Sequence, residues 1–200
     1  MNITFLTNII PHYRIELIQN LKNCVITEGW NMNVYRLSDT EEVRNWAVHE
    51  KVYKISKKIP ILFQKRLKGT TTSDIIINYK VIKYIINTDL LITTGYSYPT
   101  YIIAMIYCRL SGAKIAVFSE STINDRKKRN VFLMFLKKII ATFFIDAWIV
   151  PGNLARYSNN KIRRKPTFLA INNYKPPWEF DDRELRQNRI VYKKFNLLFV

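Results

Sequence analysis

A carboxylate followed by a cluster of cations stands in the stretch KIAVFSESTINDRKKRN. The apolar run Ile115–Phe118 ends abruptly in Ser119 and Glu120, and a run of basic residues follows a few positions later. A glutamate placed in this way can act as a general base or can orient a substrate hydroxyl. The other interpretation is a solvated carboxylate that pairs with a nearby arginine. The sequence of this stretch leaves both interpretations open.

The apolar pattern predicts which elements position these residues. Continuous apolar runs such as Ile3–Leu6 indicate buried strands, and segments with helical spacing such as Tyr13–Leu21 alternate with them. This alternation is typical of an α/β domain in which a doubly wound, Rossmann-like parallel sheet is covered on both faces. We expect Ile3–Leu6 to lie centrally in the sheet. The other predicted strands are Asn31–Leu37, Val52–Ile55, Asp89–Gly95, Ala113–Phe118, Ala147–Val150 and Thr167–Ile171, and the other predicted helices are Ser73–Asn87, Pro99–Leu110, Arg129–Phe144 and Leu154–Asn159.

The carboxyl ends of the predicted strands define a candidate site, because ligands of parallel sheets bind at that edge. The turn after the first strand, TNIIPHYR, contains no glycine, so the dinucleotide fingerprint and the phosphate loop are absent there. This turn is either a simple helix entry or a contact for sugar or phosphate. We expect Asn8, Arg14, Gly95, Ser97 and Glu120 to line one cleft.

Composition limits the possible functions. The chain has 200 residues, 48% of them hydrophobic, which suffices for one sizeable core. Its net charge of +17 predicts attraction to polyanions such as nucleic acid, anionic lipid or phosphorylated molecules. Only two histidines occur, and Cys24 and Cys108 lack metal-type spacing, so we predict no metal and no cofactor. We expect both cysteines to be buried and reduced.

The predicted helix Arg129–Phe144 has two interpretations. Its apolar residues recur at spacings of three and four, which is typical of a core stripe and favours a helix packed between the sheet and a partner domain. Its apolar arc is wider than one sheet requires, and basic residues flank it, which is typical of an amphipathic element on an anionic membrane. No apolar window is long and uncharged enough to cross a bilayer, and the first residues lack a signal-peptide pattern. We therefore expect a cytoplasmic chain, peripheral to a membrane. The candidate membrane contacts are Arg126, Lys127, Lys128, Arg129, Lys137 and Lys138.

Three stretches in order carry a resemblance to a known family: MNITFLTNIIPHYRIELIQNL, DLLITTGYSYPTYIIAMIYCRLSGAKIAVFSEST and DAWIVPGNLARY. Together they resemble the N-terminal, acceptor-side domain of a retaining GT-B glycosyltransferase of family 4. The resemblance implies a lipid-linked or polysaccharide acceptor and a nucleotide-sugar donor held by a C-terminal domain. Glu120 is then the candidate catalytic residue, although many family members have a histidine at the strand end that Ser119 and Glu120 occupy here. The candidate acceptor-binding residues are Asn8, Pro11, His12, Tyr13, Arg14, Gly95, Ser97, Tyr98 and Ser119.

The domain limits follow from a change of pattern after Asn172. We predict a Rossmann-like acceptor-binding domain over residues 1–171, a linker over 172–194, and the first strand of an absent C-terminal domain, FNLLFV, over 195–200. The expected function is that of half a sugar transferase, inactive until a C-terminal domain or a separate C-terminal subunit completes it. The alternatives are a non-catalytic binding or assembly protein and a basic nucleic-acid-binding protein. The sequence shows no nucleic-acid-binding motif, so we predict no nucleic-acid partner.

Overall fold

The computed structural model of the chain describes residues 1–39, 50–66, 74–96, 98–120 and 131–170. These residues form a seven-stranded, fully parallel sheet and a separate two-stranded antiparallel ribbon. The strands are β1 (Asn2–Thr7), β2 (Asn31–Arg36), β3 (Lys57–Lys58), β4 (Phe63–Arg66), β5 (Asp74–Ile77), β6 (Leu90–Thr93), β7 (Lys114–Phe118), β8 (Ala147–Val150) and β9 (Thr167–Leu169). The helices are α1 (His12–Thr27), α2 (Glu50–Ile55), α3 (Ile82–Ile85), α4 (Pro99–Leu110), α5 (Val131–Phe143) and α6 (Asn153–Ile162).

The sheet has the order β3-β2-β1-β6-β7-β8-β9, so β1 is an interior strand. Alternate residues of a strand face opposite sides of the sheet. Ile3 and Phe5 accordingly enter one buried cluster, and Leu6 enters the other. All three side chains are buried. The structure thus confirms both the Rossmann-like parallel sheet and the interior position of Ile3–Leu6.

Helices cover the sheet on both faces. Helices α1 and α2 bury residues such as Ile18 and Val52 against the face that carries Ile3 and Phe5. Helices α4, α5 and α6 bury residues of the opposite cluster, which include Met105, Ile140 and Ile162. The chain reverses its winding direction after β3, because β6 pairs with the free side of β1. This reversal places the ends of β1 and β6 next to each other.

Two predicted elements are wrong. Val52–Ile55 belongs to helix α2 and is not a strand. Its two buried residues, Val52 and Ile55, are three positions apart, which is helical spacing. Ser73–Asn87 is not one helix, because Asp74–Ile77 forms strand β5 and pairs antiparallel with β4. The isoleucine run in β5 favours a strand once a partner strand is available, and a short apolar run does not distinguish the two states.

The two cysteines differ in exposure. Cys108 is buried in helix α4, as predicted, and burial raises the pKa of its thiol to about 11. Cys24 is exposed on α1, so the prediction that it is buried is wrong. Its helix buries the stripe of Ile15, Ile18 and Val25, and position 24 lies outside that stripe. The predicted linker over 172–194 and the predicted strand over 195–200 lie outside the described residues.

Candidate functional site

The carboxyl ends of β1, β6 and β7 meet at one edge of the sheet, because these strands are parallel neighbours. Asn8, Gly95 and Glu120 follow these three strands within one or two residues. Gly95 has a φ of 108°, a backbone conformation that residues with a side chain rarely adopt. The Thr93 hydroxyl donates a hydrogen bond of 2.7 Å to the carbonyl of Gly95 and fixes the turn that leads from β6 towards α4.

An ion pair between Arg14 and Glu120 dominates this edge. Arg14 Nη2 lies 2.7 Å from Glu120 Oε1, and the two side chains are 11% and 34% exposed. The Arg14 guanidinium also lies 5.0 Å from the ring centroid of Phe118, the last residue of β7. One interpretation of Glu120 is a carboxylate that pairs with a nearby arginine, and Arg14 is that arginine. Arg14 itself is buried, although a simple helix entry would leave it solvated.

Neutral polar groups lie at the same edge of the sheet, after β1 and β6. Asn8 Nδ2 donates a 3.0 Å hydrogen bond to the Tyr98 hydroxyl. Thr94 Oγ1 donates to Thr7 Oγ1 at 2.9 Å and lies 3.1 Å from the Tyr101 hydroxyl. Tyr101 is fully buried, and desolvation raises the pKa of its phenol, so this hydroxyl stays neutral. Thr94 and Tyr98 are half-buried, and hydroxyl groups of this kind can bind a saccharide.

The hydroxyl of Ser119 faces a different partner. Ser119 Oγ donates a 3.0 Å hydrogen bond to Asn159 Oδ1 on α6, and Asn159 Nδ2 donates to the carbonyl of Ala155 at 2.8 Å. Ser119 and Asn159 are both buried. This contact joins the end of β7 to α6 and gives Ser119 a structural role, which is the alternative to the predicted acceptor contact.

Among the described helices, α1, α4 and α6 begin at this edge of the sheet, each a few residues after a strand. Helix α1 starts after β1, α4 after β6 and α6 after β8. Their N-cap residues, Pro11, Tyr98 and Gly152, make no side-chain capping hydrogen bond, and the first turns contain no acidic residue. The first amide groups of a helix and its dipole favour a negative charge at the N-terminus. The three N-termini therefore bring electropositive backbone groups to this edge, and such groups suit an anionic ligand group.

A second ionic cluster at the same edge was missed in the sequence. Arg36, the last residue of β2, is buried and donates to Asp39 Oδ1 and to the carbonyl and hydroxyl of Ser56, each at 2.9 Å. Lys58 also pairs with Asp39. Burial alone raises the pKa of Asp39, but hydrogen bonds from Lys58 and Arg36 outweigh burial and lower it. The strand-end rule applied to β2 would have found Arg36.

The remaining predicted acceptor contacts lie in the first turn of α1 or beyond the described residues. Pro11 is buried, His12 is exposed, and the His12 ring meets the Tyr13 ring edge-on at 5.9 Å. The ring centroid of Tyr13 is 5.8 Å from the Arg14 guanidinium, so this turn surrounds the ion pair. Ser97 lies outside the described residues.

Of the predicted membrane contacts, only Lys137 and Lys138 are described. Lys138 is exposed, whereas the Lys137 ammonium lies 5.9 Å from the ring centroid of the buried Tyr96. The predicted contacts Arg126–Arg129 lie outside the described residues. Within the described part of the chain, no helix combines the length and apolar character needed to cross a bilayer. The same part contains no group of three or more His, Cys, Asp or Glu side chains that could hold a metal ion.

Comparisons with known proteins find likeness at the level of structure. No protein-family model and no curated protein sequence matches the chain. The chain is similar to the crystal structure of Acinetobacter baumannii MurG, with 10% identity and a TM-score of 0.49 over 92% of this chain and 48% of that one. It is also similar to a sucrose-phosphate synthase structure from Thermosynechococcus elongatus, with 13% identity and a TM-score of 0.43 over 95% of this chain and 97% of that one. The chain spans about half the length of the MurG chain that it matches.

Proposed function

We propose that residues 1–171 are the acceptor-binding domain of a glycosyltransferase of the GT-B, family 4 type. The observation that carries this proposal is the Arg14–Glu120 ion pair at the carboxyl edge of the parallel sheet. Asn8 and Tyr98 lie at the same edge and carry hydrogen-bonding groups suited to sugar hydroxyls. The edge thus combines one carboxylate, one guanidinium and neutral polar groups in the place where such sheets bind ligands.

In this proposal Glu120 orients the acceptor hydroxyl or accepts its proton. Sugar transfer forms a bond between the acceptor oxygen and the anomeric carbon and breaks the bond from that carbon to the nucleoside diphosphate. The acceptor hydroxyl loses its proton in the process, and a carboxylate at hydrogen-bond distance can orient that hydroxyl or take the proton. A carboxylate accepts several hydrogen bonds, so Glu120 can bind Arg14 and a substrate hydroxyl together. Arg14 then positions the carboxylate.

The acceptor in this proposal carries phosphate. Three helix N-termini without acidic residues point to the site edge, and Arg14 adds a buried cation. These features favour an anionic group beside the sugar, as in a lipid-linked phosphorylated saccharide, over a neutral polysaccharide. The nucleotide-sugar donor is held by a second domain or by a separate C-terminal subunit. The transferase works at the cytoplasmic face of an anionic membrane, to which it attaches peripherally.

An assay of sugar transfer tests the proposal. The purified chain is incubated with a panel of nucleotide-sugars and short-chain lipid-linked acceptors, with and without a candidate second subunit. We expect no transfer by the chain alone and transfer by the assembled enzyme. Glu120→Gln lowers the turnover of the assembled enzyme by roughly 10²–10⁴ if Glu120 is the general base. Glu50→Gln, at an exposed position on α2, is the matched control and leaves turnover unchanged.

Other outcomes would contradict parts of the proposal. An unchanged turnover for Glu120→Gln assigns Glu120 a structural role only. Transfer by the chain alone refutes the need for a second domain or subunit. Acceptor binding without transfer under any condition favours the non-catalytic binding protein. Salt-dependent binding to duplex DNA, without binding to acceptor or anionic vesicles, favours the nucleic-acid-binding protein.

A further inference from the structure

The outward face of helix α5 is apolar, which is unusual for a helix on the surface of a sheet. Ile140 and Ala141 face the core and are buried. Phe135, Leu136 and Phe143 are 61%, 42% and 65% exposed. Their spacing of seven to eight residues places Phe135 and Leu136 on the same side of the helix as Phe143. These three residues of the predicted core stripe therefore do not face the sheet, whereas Ile140 of the same stripe does.

Helix α6 continues this apolar surface. It packs against α5 and buries one stripe, which includes Ala155 and Ile162. Leu154 and Tyr157 belong to another stripe, and they are 68% and 58% exposed. Lys161 extends the exposed stripe by one turn, and its ammonium lies 4.5 Å from the ring centroid of Tyr157. Two adjacent helices of one layer thus present exposed apolar and aromatic side chains.

Charge around this surface is almost entirely positive. Residues 131–170 contain seven basic residues and one acid, Asp146. That acid pairs with Arg109, at 3.1 Å, and accepts a hydrogen bond from the amide of Ile115. Lys165 Nζ lies 3.4 Å from the carbonyl of Thr142, which brings the basic segment after α6 to the end of α5. The basic residues are Lys137, Lys138, Arg156, Lys161, Arg163, Arg164 and Lys165.

We propose that α6 and the segment Lys161–Lys165 form, together with the outer face of α5, a docking surface for an anionic lipid bilayer. Leu154 and Tyr157 enter the interface of the bilayer, and Lys161 and Arg164 contact lipid phosphates. Charge complementarity selects the bilayer as occupant, because exposed aromatic and aliphatic side chains beside exposed cations match an anionic headgroup region. The inference extends the proposed membrane attachment beyond residues 126–144 and rests on that part of the proposed function. It does not depend on sugar transfer.

A labelled full-length chain tests insertion directly. Cys24→Ser removes the exposed thiol, Cys108 is buried, and Leu154→Cys provides one site for an environment-sensitive dye. The matched control is Ile26→Cys in the same background, because Ile26 is exposed on α1 on the other face of the sheet. Phosphatidylcholine vesicles containing phosphatidylglycerol should shift the dye at position 154 to the blue. Nitroxide lipids should quench the dye at position 154 and not the dye at position 26.

Charge reversals provide the second measurement, with vesicle flotation as the readout. Lys161→Glu with Arg164→Glu should weaken binding to phosphatidylglycerol vesicles by roughly tenfold or more. Lys51→Glu with Lys54→Glu, on the opposite layer in α2, changes the net charge equally and should have a much smaller effect. Three outcomes would overturn the proposal. The two charge-reversal pairs could lose vesicle affinity equally, the dye at position 154 could remain in water, or the chain could fail to bind vesicles. Circular dichroism identifies variants that fail to fold, and the dye measurement does not depend on the reversals. A failed vesicle test leaves the sugar-transfer assay unaffected.

Discussion

Arg14 and Glu120 form an ion pair of 2.7 Å across the end of a strand to which neither belongs. Arg14 lies in the first turn of α1 after β1, Glu120 follows β7, and β6 runs between those two strands. The pair therefore connects the two halves of the doubly wound sheet at the edge where ligands bind. Any group that binds there meets a carboxylate and a guanidinium already held together.

The first prediction is a measurable energetic coupling between these two residues. Glu120→Gln leaves the buried guanidinium without its counter-ion and should lower the free energy of unfolding by about 1–3 kcal/mol. Arg14→Met removes the cation, and the double variant should cost less than the sum of the single variants. Urea unfolding of the four proteins gives the coupling. The exposed pair Lys54 and Glu50 on α2 is the control and should show little coupling. Additive effects at Arg14 and Glu120 would show that the contact contributes nothing to stability.

Periodicity was sufficient to predict the sheet and its edge, because interior parallel strands need continuous apolar runs. The run Ile3–Leu6 and the run in Ala147–Val150 could be assigned without any knowledge of tertiary contacts. The β4–β5 ribbon could not, since the isoleucines of Asp74–Ile77 fit a helix and a strand equally well until β4 supplies a partner. The outward orientation of Phe135 and Phe143 was also ambiguous, because an apolar stripe does not state which face meets the core.

The candidate site was predicted in position but not in its contacts. Sheet topology alone places Asn8, Gly95 and Glu120 at one edge, and the orientation of their side chains does not affect this position. The partner of Glu120 depends on the reach of Arg14 over the end of β6, and the direction of the Ser119 hydroxyl depends on the packing of α6. Such contacts join residues that are far apart in the sequence, so they leave no local pattern in a single sequence.

The second prediction concerns acid stability through Asp39. The pKa of Asp39 in the folded chain lies below its ordinary value of 3.8, because hydrogen bonds from Lys58 and Arg36 outweigh burial. The unfolded state therefore binds more protons between the lowered pKa and about 3.8, so stability rises with pH in that window. The stabilisation is present above pH 3.8 and is lost as the pH falls through the lowered folded-state pKa. Between pH 6 and pH 2, the free energy of unfolding should decrease less steeply for Asp39→Asn than for the parent chain. An equally steep decrease in the two proteins would contradict this role of Asp39.

The third prediction distinguishes the two thiols. Cys24 is exposed, whereas Cys108 is buried with a pKa raised to about 11, so little thiolate forms there at neutral pH. A fluorescent maleimide at pH 7 should label the folded chain once and the urea-unfolded chain twice. Cys24→Ser should abolish rapid labelling of the folded chain, and Cys108→Ser should leave it intact. Rapid labelling of Cys108 in the folded chain would show that the packing of α4 is looser than described.

The fourth prediction separates structure from binding at Ser119. Its hydroxyl donates to Asn159 Oδ1, and both residues are buried, so Ser119→Ala leaves a buried amide oxygen without this donor. The free energy of unfolding should fall by about 1–3 kcal/mol, as expected for a buried polar group that loses its partner. Asn8→Ala at the same edge removes the contact to the Tyr98 hydroxyl and is the matched comparison for binding.

Calorimetric titration with a short-chain lipid-linked saccharide phosphate gives the second readout for both variants. We expect Ser119→Ala to retain the acceptor affinity of the parent chain after its stability loss is taken into account, because its hydroxyl faces α6. Asn8→Ala should lose affinity, since its amide and the Tyr98 hydroxyl lie at the same sheet edge as the Arg14–Glu120 pair, in the proposed acceptor site. The reverse result, with a stable Ser119→Ala variant that binds acceptor poorly, would place the sugar against β7 and α6 and would move the proposed site away from β1.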